Sequence, residues 1–254
     1  MVSVLVASCS TFSFGIMTPA IAVAIPAHNE EAFIGACIRS VLDSARYAAA
    51  SIEITVALNR CSDRTQEIAQ QLGARCVVED RKCIAAVRNA AVGASTAPYV
   101  VTIDADSCAN QGAISSIIRH LDSGRFIGGG SAITPERLSI GIVCSLALVV
   151  PHVLRAGVSA GMFWCERTTF DALGGFDESL LSGEDLDFGI RLKRYGKERG
   201  LRYGTLWRDG ITTSCRKFDQ FGDWYLFRNP QLVRSLMKGK DRSAADGFYY
   251  DIDR

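Results

Sequence analysis

Tyr99-Val100-Val101-Thr102-Ile103 runs without a break into Asp104-Ala105-Asp106. An apolar, β-branched run of this length reads as a buried strand, and two carboxylates stand at its exit. They repel one another unless a cation or buried donors compensate them. The pair therefore reads either as a hard-cation site for Mg²⁺ or Mn²⁺ or as a solvated Asx turn. Both readings put it at the carboxyl end of a strand, where open α/β sheets collect their ligands.

Upstream, residues 21–25 read as a strand that stops at Pro26, and Asn29 is placed to cap a helix carrying Phe33, Ile34, Cys37, Ile38, Val41 and Leu42 on one face. Residues 52–58 form a second strand. Ser62-Asp63 opens a helix through Ile68 and Leu72 that Gly73 ends. A short strand at 76–78 and a helix over 84–92 complete the approach to Tyr99. This alternation predicts βαβ units in an α/β fold, with a mostly parallel central sheet flanked by helices. Polar residues after the first, second and fourth strands should then converge.

Downstream the pattern loosens. A helix near 112–121 leads to a strand at 126–133, where Gly128-Gly129-Gly130 lacks the context of a dinucleotide loop and reads as close backbone packing. Residues 140–154 are almost wholly apolar, but Pro151 interrupts them and they fall short of the roughly 20 residues that cross a bilayer. They predict a buried or interfacial helix, with peripheral membrane contact as the other use. Gly161-Met162-Phe163-Trp164 suits either an acceptor pocket or the core. The aromatic stripe Phe218, Phe221, Trp224, Tyr225 and Phe227 suits a lid, a membrane face or helix packing, and Asn229-Pro230 should break the helix that carries it.

Lys and Arg number 28 against 27 Asp and Glu, so the formal charge of +1 gives no footprint for nucleic acid. With 48% hydrophobic and 22% charged residues over 254 positions, the chain suits one large domain with a substantial core. None of its nine cysteines forms a C-x-x-C pair, which argues against a zinc ribbon or a thioredoxin-type site and for reduced thiols in a cytoplasmic protein, the inner face of a membrane included. With only His28, His120 and His152, a multi-histidine metal site is excluded, so carboxylates must hold any metal. Residues 1–16 lack a basic region and a cleavage site and are expected to be a poorly ordered apolar extension. The domain is expected over 17–240, with a polar tail at 241–254.

Six blocks occur in order: Ile25-Pro26-Ala27-His28-Asn29-Glu30, Asn59-Arg60-Cys61-Ser62-Asp63-Arg64-Thr65, Ala86-Val87-Arg88-Asn89, Asp104-Ala105-Asp106, Gly174-Gly175-Phe176-Asp177-Glu178, and Gly183-Glu184-Asp185-Leu186-Asp187-Phe188. In this order and spacing, over residues 21–203, the sequence resembles the family 2 glycosyltransferases of GT-A fold. The resemblance implies a single GT-A-type domain, the nucleotide-diphospho-sugar transferase fold, acting as an inverting glycosyltransferase. It also implies a nucleotide-diphosphate sugar donor, Mg²⁺ or Mn²⁺, and an acceptor that is a glycan, a lipid or a small molecule. By matching positions, Pro26, Ala27, His28 and Glu30 would line the nucleoside pocket with Asn59, and Arg88 would lie near base or phosphate. Asp104 would face the ribose or sugar, and Asp106 would ligate the metal through the diphosphate. Asp185 would be the general base, with Glu184 sharing that role or positioning the acceptor.

The chemistry asks for the same equipment independently. A departing diphosphate develops negative charge that a cation neutralises, and an attacking hydroxyl needs a carboxylate to take its proton. Three departures qualify the match. Ser182-x-x-Asp185 also reads as a capping box, which would hold a carboxylate as the anion at a helix start, with Asp187 pairing Arg191 one turn on. Leu58-Asn59 stands where relatives often carry Asp-Asp, and an amide both donates and accepts, so the base-recognition pattern differs. No histidine follows His152 to complete a metal site, which predicts weak, donor-dependent coordination. The same blocks would serve a non-catalytic sugar-nucleotide-binding protein. A sugar nucleotidyltransferase would want a Gly-rich basic loop after strand one, the opposite of His28-Asn29-Glu30-Glu31. Arg81-Lys82 reads as a solvated surface pair.

Overall fold

A computed structural model of the chain describes residues 20–238; the expectations for 1–16 and for the 241–254 tail lie outside the described residues. Strand β1 (Ile21–Ala27) pairs in parallel with β2 (Ile52–Leu58) on one side and with β4 (Tyr99–Thr102) on the other, and β3 (Arg75–Val78) adds outside β2. The second strand has the expected bounds. The first runs past its expected stop, for Pro26 pairs with Ala57 and Ala27 with Leu58. Proline is tolerated there because pairing to β4 ends at Ala24 and Thr102, so that side of β1 has no further ladder for the missing N–H to break.

Alternation along β1 decides what lies on each face. Ile21, Val23 and Ile25 point into one core with α1 (Ile34–Tyr47), α2 (Thr65–Gln71) and α4 (Ala113–Asp122). Ala24 and Ala57 point the other way, against Ala85 and Ala91 of α3 (Ile84–Gly93). Small side chains on both sides of that contact let α3 sit close to the sheet. Its first turns therefore reach the carboxyl ends of β1 and β4.

The expected helix cap at Asn29 is corrected. Asn29 has φ +50°, outside the extended region a cap needs, and α1 begins only at Ile34 after an uncapped Phe33. Asn29 Oδ1 instead accepts a hydrogen bond from Ser62 N at 2.8 Å, tying the loop after β1 to the loop after β2. The next helix signal holds: Asp63 Oδ1 accepts from Thr65 N at 3.0 Å, and Gly73 leaves the helix at φ +82°.

Beyond β4 the sheet is mixed. β7 (Phe163–Glu166), which leads directly into the short helix α6 (Arg167–Ala172), inserts antiparallel between β4 and β6 (Phe126–Pro135), β8 (Arg202–Thr213) runs parallel to β6, and β5 (Ser107–Ala109) closes the edge antiparallel to β8. The strand order is β3-β2-β1-β4-β7-β6-β8-β5. The glycine run in β6 is structural: a Cβ on Gly129 would collide with Gly204 O and come within 2.6 Å of Trp164 Cζ2. The indole, fully buried, donates Nε1 to Gly130 O at 3.1 Å. Met162, Phe163 and Trp164 are therefore core rather than acceptor pocket.

Helix α5 (Ile140–Ala156) is amphipathic rather than buried all round: Ile142 and Ser145 face inward, while Ile140, Val143 and Val150 are exposed. The aromatic stripe falls on α8 (Arg216–Phe221) and on α9 (Tyr225–Arg228) with its N-cap Trp224, and α10 (Pro230–Lys238) follows, with Leu226, Val233 and Leu236 buried. Pro230 opens α10, where its missing N–H costs nothing. Among the described residues no helix is long and apolar enough to cross a membrane.

Candidate active site

The carboxyl ends of β1, β2 and β4 open into one cleft of ≈ 240 Å³. Pro26, Ala27, His28 and Glu30 enter it from β1, Asn59 from β2, and Asp104 and Asp106 from β4. Arg88 reaches it from α3, and Glu184 and Asp185 from the start of α7 (Glu184–Lys197). Every candidate residue named from the sequence thus lines the same space. Arg216 and Lys217 line it as well, and sequence reasoning did not single them out.

Arg88 is the centre of the charge network. Its side chain is 6% exposed, Nη2 lies 2.7 Å from Asp104 Oδ1, and Nε lies 3.4 Å from Glu184 Oε1. Burial alone would pull the guanidinium pKa down, but Asp104, Glu184 and Asp185 more than reverse it, so the group stays charged. Nε and Nη1 are nevertheless buried without a hydrogen bond among the described residues. Incomplete satisfaction of a buried guanidinium marks a position that a ligand could complete.

The expected capping box at Ser182 does not form. Ser182 Oγ donates to Leu236 O at 2.9 Å, and α7 starts from Gly183 at φ +70° with no side-chain cap. Nor is the helix-start carboxylate held as the anion in the case of Glu184. Burial, then the Asp185 charge beside it, push its pKa up to about 7 from the usual value of 4.5, against Arg88 and a backbone N–H. Dehydration of a carboxylate outweighs the helix-terminal dipole here because Glu184 is only 5% exposed. Asp185 Oδ1 accepts from Leu186 N at 2.7 Å, and the i,i+4 pair of Asp187 with Arg191 forms at 2.6 Å as expected.

α7 is seated on an aromatic cluster of Phe163, Phe170, Phe176 and Phe188, in which Phe176 and Phe188 stack at 4.5 Å. The loop before it is fixed by Asn89. This side chain accepts from Phe176 N and donates to Phe176 O, both at 2.9 Å, and donates to Glu178 Oε1 at 3.0 Å. The blocks at 86–89 and 174–178 are thereby one physical unit. Glu178 also pairs with Arg81 at 2.5 Å, so Arg81, a surface side chain 58% exposed as expected, is also tied to this loop and to Glu79.

On the opposite wall, Arg216 makes a two-point contact with Glu30, Nη1 to Oε2 at 2.5 Å and Nη2 to Oε1 at 2.8 Å. The same Nη2 lies 3.0 Å from Asp106 Oδ2. Nearby, His28 Nδ1 lies 2.6 Å from Asn59 O. Asn59 Nδ2 donates to Glu79 O at 2.5 Å and to Arg81 O at 2.8 Å, leaving Oδ1 buried without a partner among the described residues. Both amide donors are thus consumed. Asn59 offers the cleft an acceptor, as a carboxylate would, which corrects the expectation that it both donates and accepts.

No group of three or more histidine, cysteine, aspartate or glutamate side chains is arranged to hold a metal among the described residues. Asp106 at the mouth of β4 fits a cation that takes one or two carboxylates and completes its shell with phosphate oxygens and water. It does not fit an all-protein cage.

Residues 22–139 match the sequence family described as Glycosyl transferase family 2. A pre-mycofactocin glycosyltransferase of Mycobacterium tuberculosis is 29% identical over 150 residues, 52% of this chain and 32% of that protein. An uncharacterized glycosyltransferase of Mycobacterium bovis is 32% identical over 149 residues, 59% of this chain and 60% of its own length. The chain thus spans about a third of the first relative and under two thirds of the second. Among solved structures, Staphylococcus aureus TarS 1-349 in complex with UDP-GlcNAc aligns with a TM-score of 0.60 at 13% identity, over 90% of this chain and 70% of that one. The mannosyltransferase PcManGT of Pyrobaculum calidifontis, in complex with GDP-Man and Mn²⁺, aligns at 0.58 and 16% identity, over 86% and 65%. Glucosyl-3-phosphoglycerate synthase of M. tuberculosis, with Mn²⁺, UDP and glucosyl-3-phosphoglycerate, aligns at 0.54 and 20% identity, over 88% and 81%. At these identities the structures bear on the fold, which is that of the GT-A glycosyltransferases.

Proposed function

We propose, from the match of residues 22–139 to glycosyl transferase family 2, that the chain moves a sugar from a nucleotide-diphosphate donor to an acceptor hydroxyl with inversion. The observation that carries this reading is that Asp106 and Asp185, 79 positions apart in sequence, line one cleft together with the incompletely satisfied Arg88. Direct displacement needs a site for the leaving group and a proton acceptor for the nucleophile within one space, and these residues supply both.

On this reading the nucleoside lies against Pro26, Ala27 and His28, and Asn59 Oδ1 accepts an N–H from the base edge. Uracil and guanine present such an N–H at the position where cytosine and adenine present a bare ring nitrogen. Arg88, whose Nε and Nη1 make no hydrogen bond among the described residues, faces the phosphates while holding Asp104 for the ribose or sugar. Asp106 would hold Mg²⁺ or Mn²⁺, with the diphosphate completing the ion's shell. Such an ion would neutralise charge on the leaving diphosphate. Asp185 takes the acceptor's proton as the new bond to the anomeric carbon forms and the old bond breaks, its electron pair leaving on the diphosphate oxygen. Glu184, buried and held by Arg88, acts as a positioning residue for that guanidinium. The eight described cysteines are free thiols, which supports a cytoplasmic setting.

A panel of UDP- and GDP-sugars with Mn²⁺ tests the reading. Asp106→Ala should lose metal-dependent donor binding, and Asp185→Asn should keep donor binding and lose turnover by at least 100-fold, on the order expected for removal of a general base. Wild-type protein that binds a donor yet neither hydrolyses nor transfers it would leave a sensor rather than an enzyme.

A further inference from the structure

The contact between Arg216 and the floor of the cleft asks for an explanation that helix packing does not give. Arg216 stands at the start of α8, 186 positions from Glu30, and its side chain is 17% exposed. It is anchored to Glu30 through both terminal nitrogens, and its guanidinium lies 5.2 Å from the centre of the Phe33 ring. Glu30 is 5% exposed on its side chain, so its charge needs a lasting partner. Asp106 is more open, at 16%, and is met by one nitrogen that Glu30 already shares. Nε of Arg216 is buried without a hydrogen bond among the described residues. The two contacts are therefore unequal: Glu30 holds the guanidinium and Asp106 can release it at small cost.

We infer that Arg216 is an internal cation that competes with the divalent ion for Asp106 and couples binding of that ion to binding of the donor. This rests on the reading of Asp106 as the metal-holding carboxylate. With the cleft empty of donor, a positive charge 3.0 Å from Asp106 opposes any divalent ion that approaches it. When a diphosphate arrives, its negative charge lies against both cations and turns their repulsion into a shared attraction. Arg216, still anchored on Glu30, then directs the hydrogen bond freed from Asp106 toward the phosphate. The ion and the nucleotide each bind better in the presence of the other, and by the same factor, because such coupling is reciprocal. No histidine follows His152 in the sequence, and Arg216 instead makes the ion site conditional on donor.

The full chain can be titrated with Mn²⁺, followed by electron paramagnetic resonance, with and without UDP or GDP, while nucleotide affinity is read separately by calorimetry. Wild type should bind Mn²⁺ weakly alone and about tenfold more tightly with nucleotide. Arg216→Gln should bind Mn²⁺ alone about tenfold more tightly than wild type, a change of roughly 1.4 kcal/mol, while the coupling factor falls below the wild-type value to the part that coordination of the ion by the diphosphate alone supplies. Arg216→Lys, a point charge without the planar fork, should fall between the two. Unchanged Mn²⁺ affinity and coupling in folded Arg216→Gln, or in Arg216→Lys should the first variant not fold, would overturn the inference while leaving the transferase reading in place. Wild-type protein that binds neither Mn²⁺ nor any nucleotide would remove both. A purely structural Arg216 would lower the melting temperature and leave the coupling factor alone.

Discussion

Glu184→Gln makes the electrostatics of the cleft measurable. The Glu184 carboxyl is buried, and its pKa is raised to about 7 from the usual 4.5, by burial first and by Asp185 second. Between those two pH values the folded chain keeps a proton that the unfolded chain has released. Stability from this group is thus fully present below about pH 4.5 and is lost as the pH rises to about 7, above which both states are ionised. A displacement of that size corresponds to roughly 3 kcal/mol across the window. Glutamine has the shape and an acceptor oxygen for Arg88 but no proton to lose. The wild-type stability minus that of Glu184→Gln should therefore fall by about 2 to 3 kcal/mol between pH 4.5 and 7.5. For a chain of this size that is about 5 to 10 °C in melting temperature. Thermal denaturation followed by circular dichroism, both proteins side by side at half-unit pH steps, reads this directly. A difference that stays constant with pH would show that Glu184 is ionised throughout and that Arg88 outweighs burial.

Three further outcomes follow from named contacts. UDP and GDP should bind at least tenfold more tightly than CDP or ADP in calorimetry, since Asn59 presents only an acceptor, and equal affinity for all four would disprove the base contact. Gly129→Ala should destabilise the fold by about 3 kcal/mol, the upper range for overpacking, because its Cβ meets the Trp164 ring and Gly204 O; urea denaturation measures it, and a loss below 1 kcal/mol would mean β6 and β8 shift freely. Asp106→Ala and Asp185→Asn should separate cleanly, the first in donor affinity and the second in turnover, and a variant pair with matching defects in both would deny them distinct roles.

Local periodicity and strand-end logic made the first half of the chain readable. The runs at 52–58 and 84–92 are contiguous and strongly patterned, and their elements appear with bounds within a residue of those expected. The ten candidate residues all reach the cleft because each sits within a few positions of a strand end or a helix start, where the fold determines direction. What failed were rules that ignore tertiary context. Asn29 and Ser182 carry good capping side chains, yet each is drawn away by a partner distant in sequence, Ser62 N and Leu236 O. The raised pKa of Glu184 was hidden for the same reason, since its burial and its closeness to Arg88 arise from tertiary packing and not from Gly183-Glu184-Asp185. Nothing local in Cys215-Arg216-Lys217 marks a site residue. The available signal was indirect: Glu30 lies in an apolar strand exit with no cation near it in sequence, and a buried carboxylate demands one.

The charge balance of the cleft gives these pieces a common logic. Glu30, Asp104, Asp106, Glu184 and Asp185 bring five carboxyl groups to the space, and Arg88, Arg216 and Lys217 bring three cations. The formal charge is therefore −2 with Glu184 ionised and −1 with its proton in place. A diphosphate carries negative charge of its own, so an unaccompanied nucleotide meets net repulsion even though two nitrogens on Arg88 and one on Arg216 make no hydrogen bond among the described residues. On the proposed reading a divalent ion on Asp106 brings this balance to zero with Glu184 ionised. That is the condition under which Arg88, still holding Asp104, and Arg216, still anchored on Glu30, can direct their remaining nitrogens to the ligand's phosphates. Neither the ion nor the donor is then sufficient alone, and the excess of carboxylates, wasteful for holding a nucleotide, is what makes the site answer only to the pair.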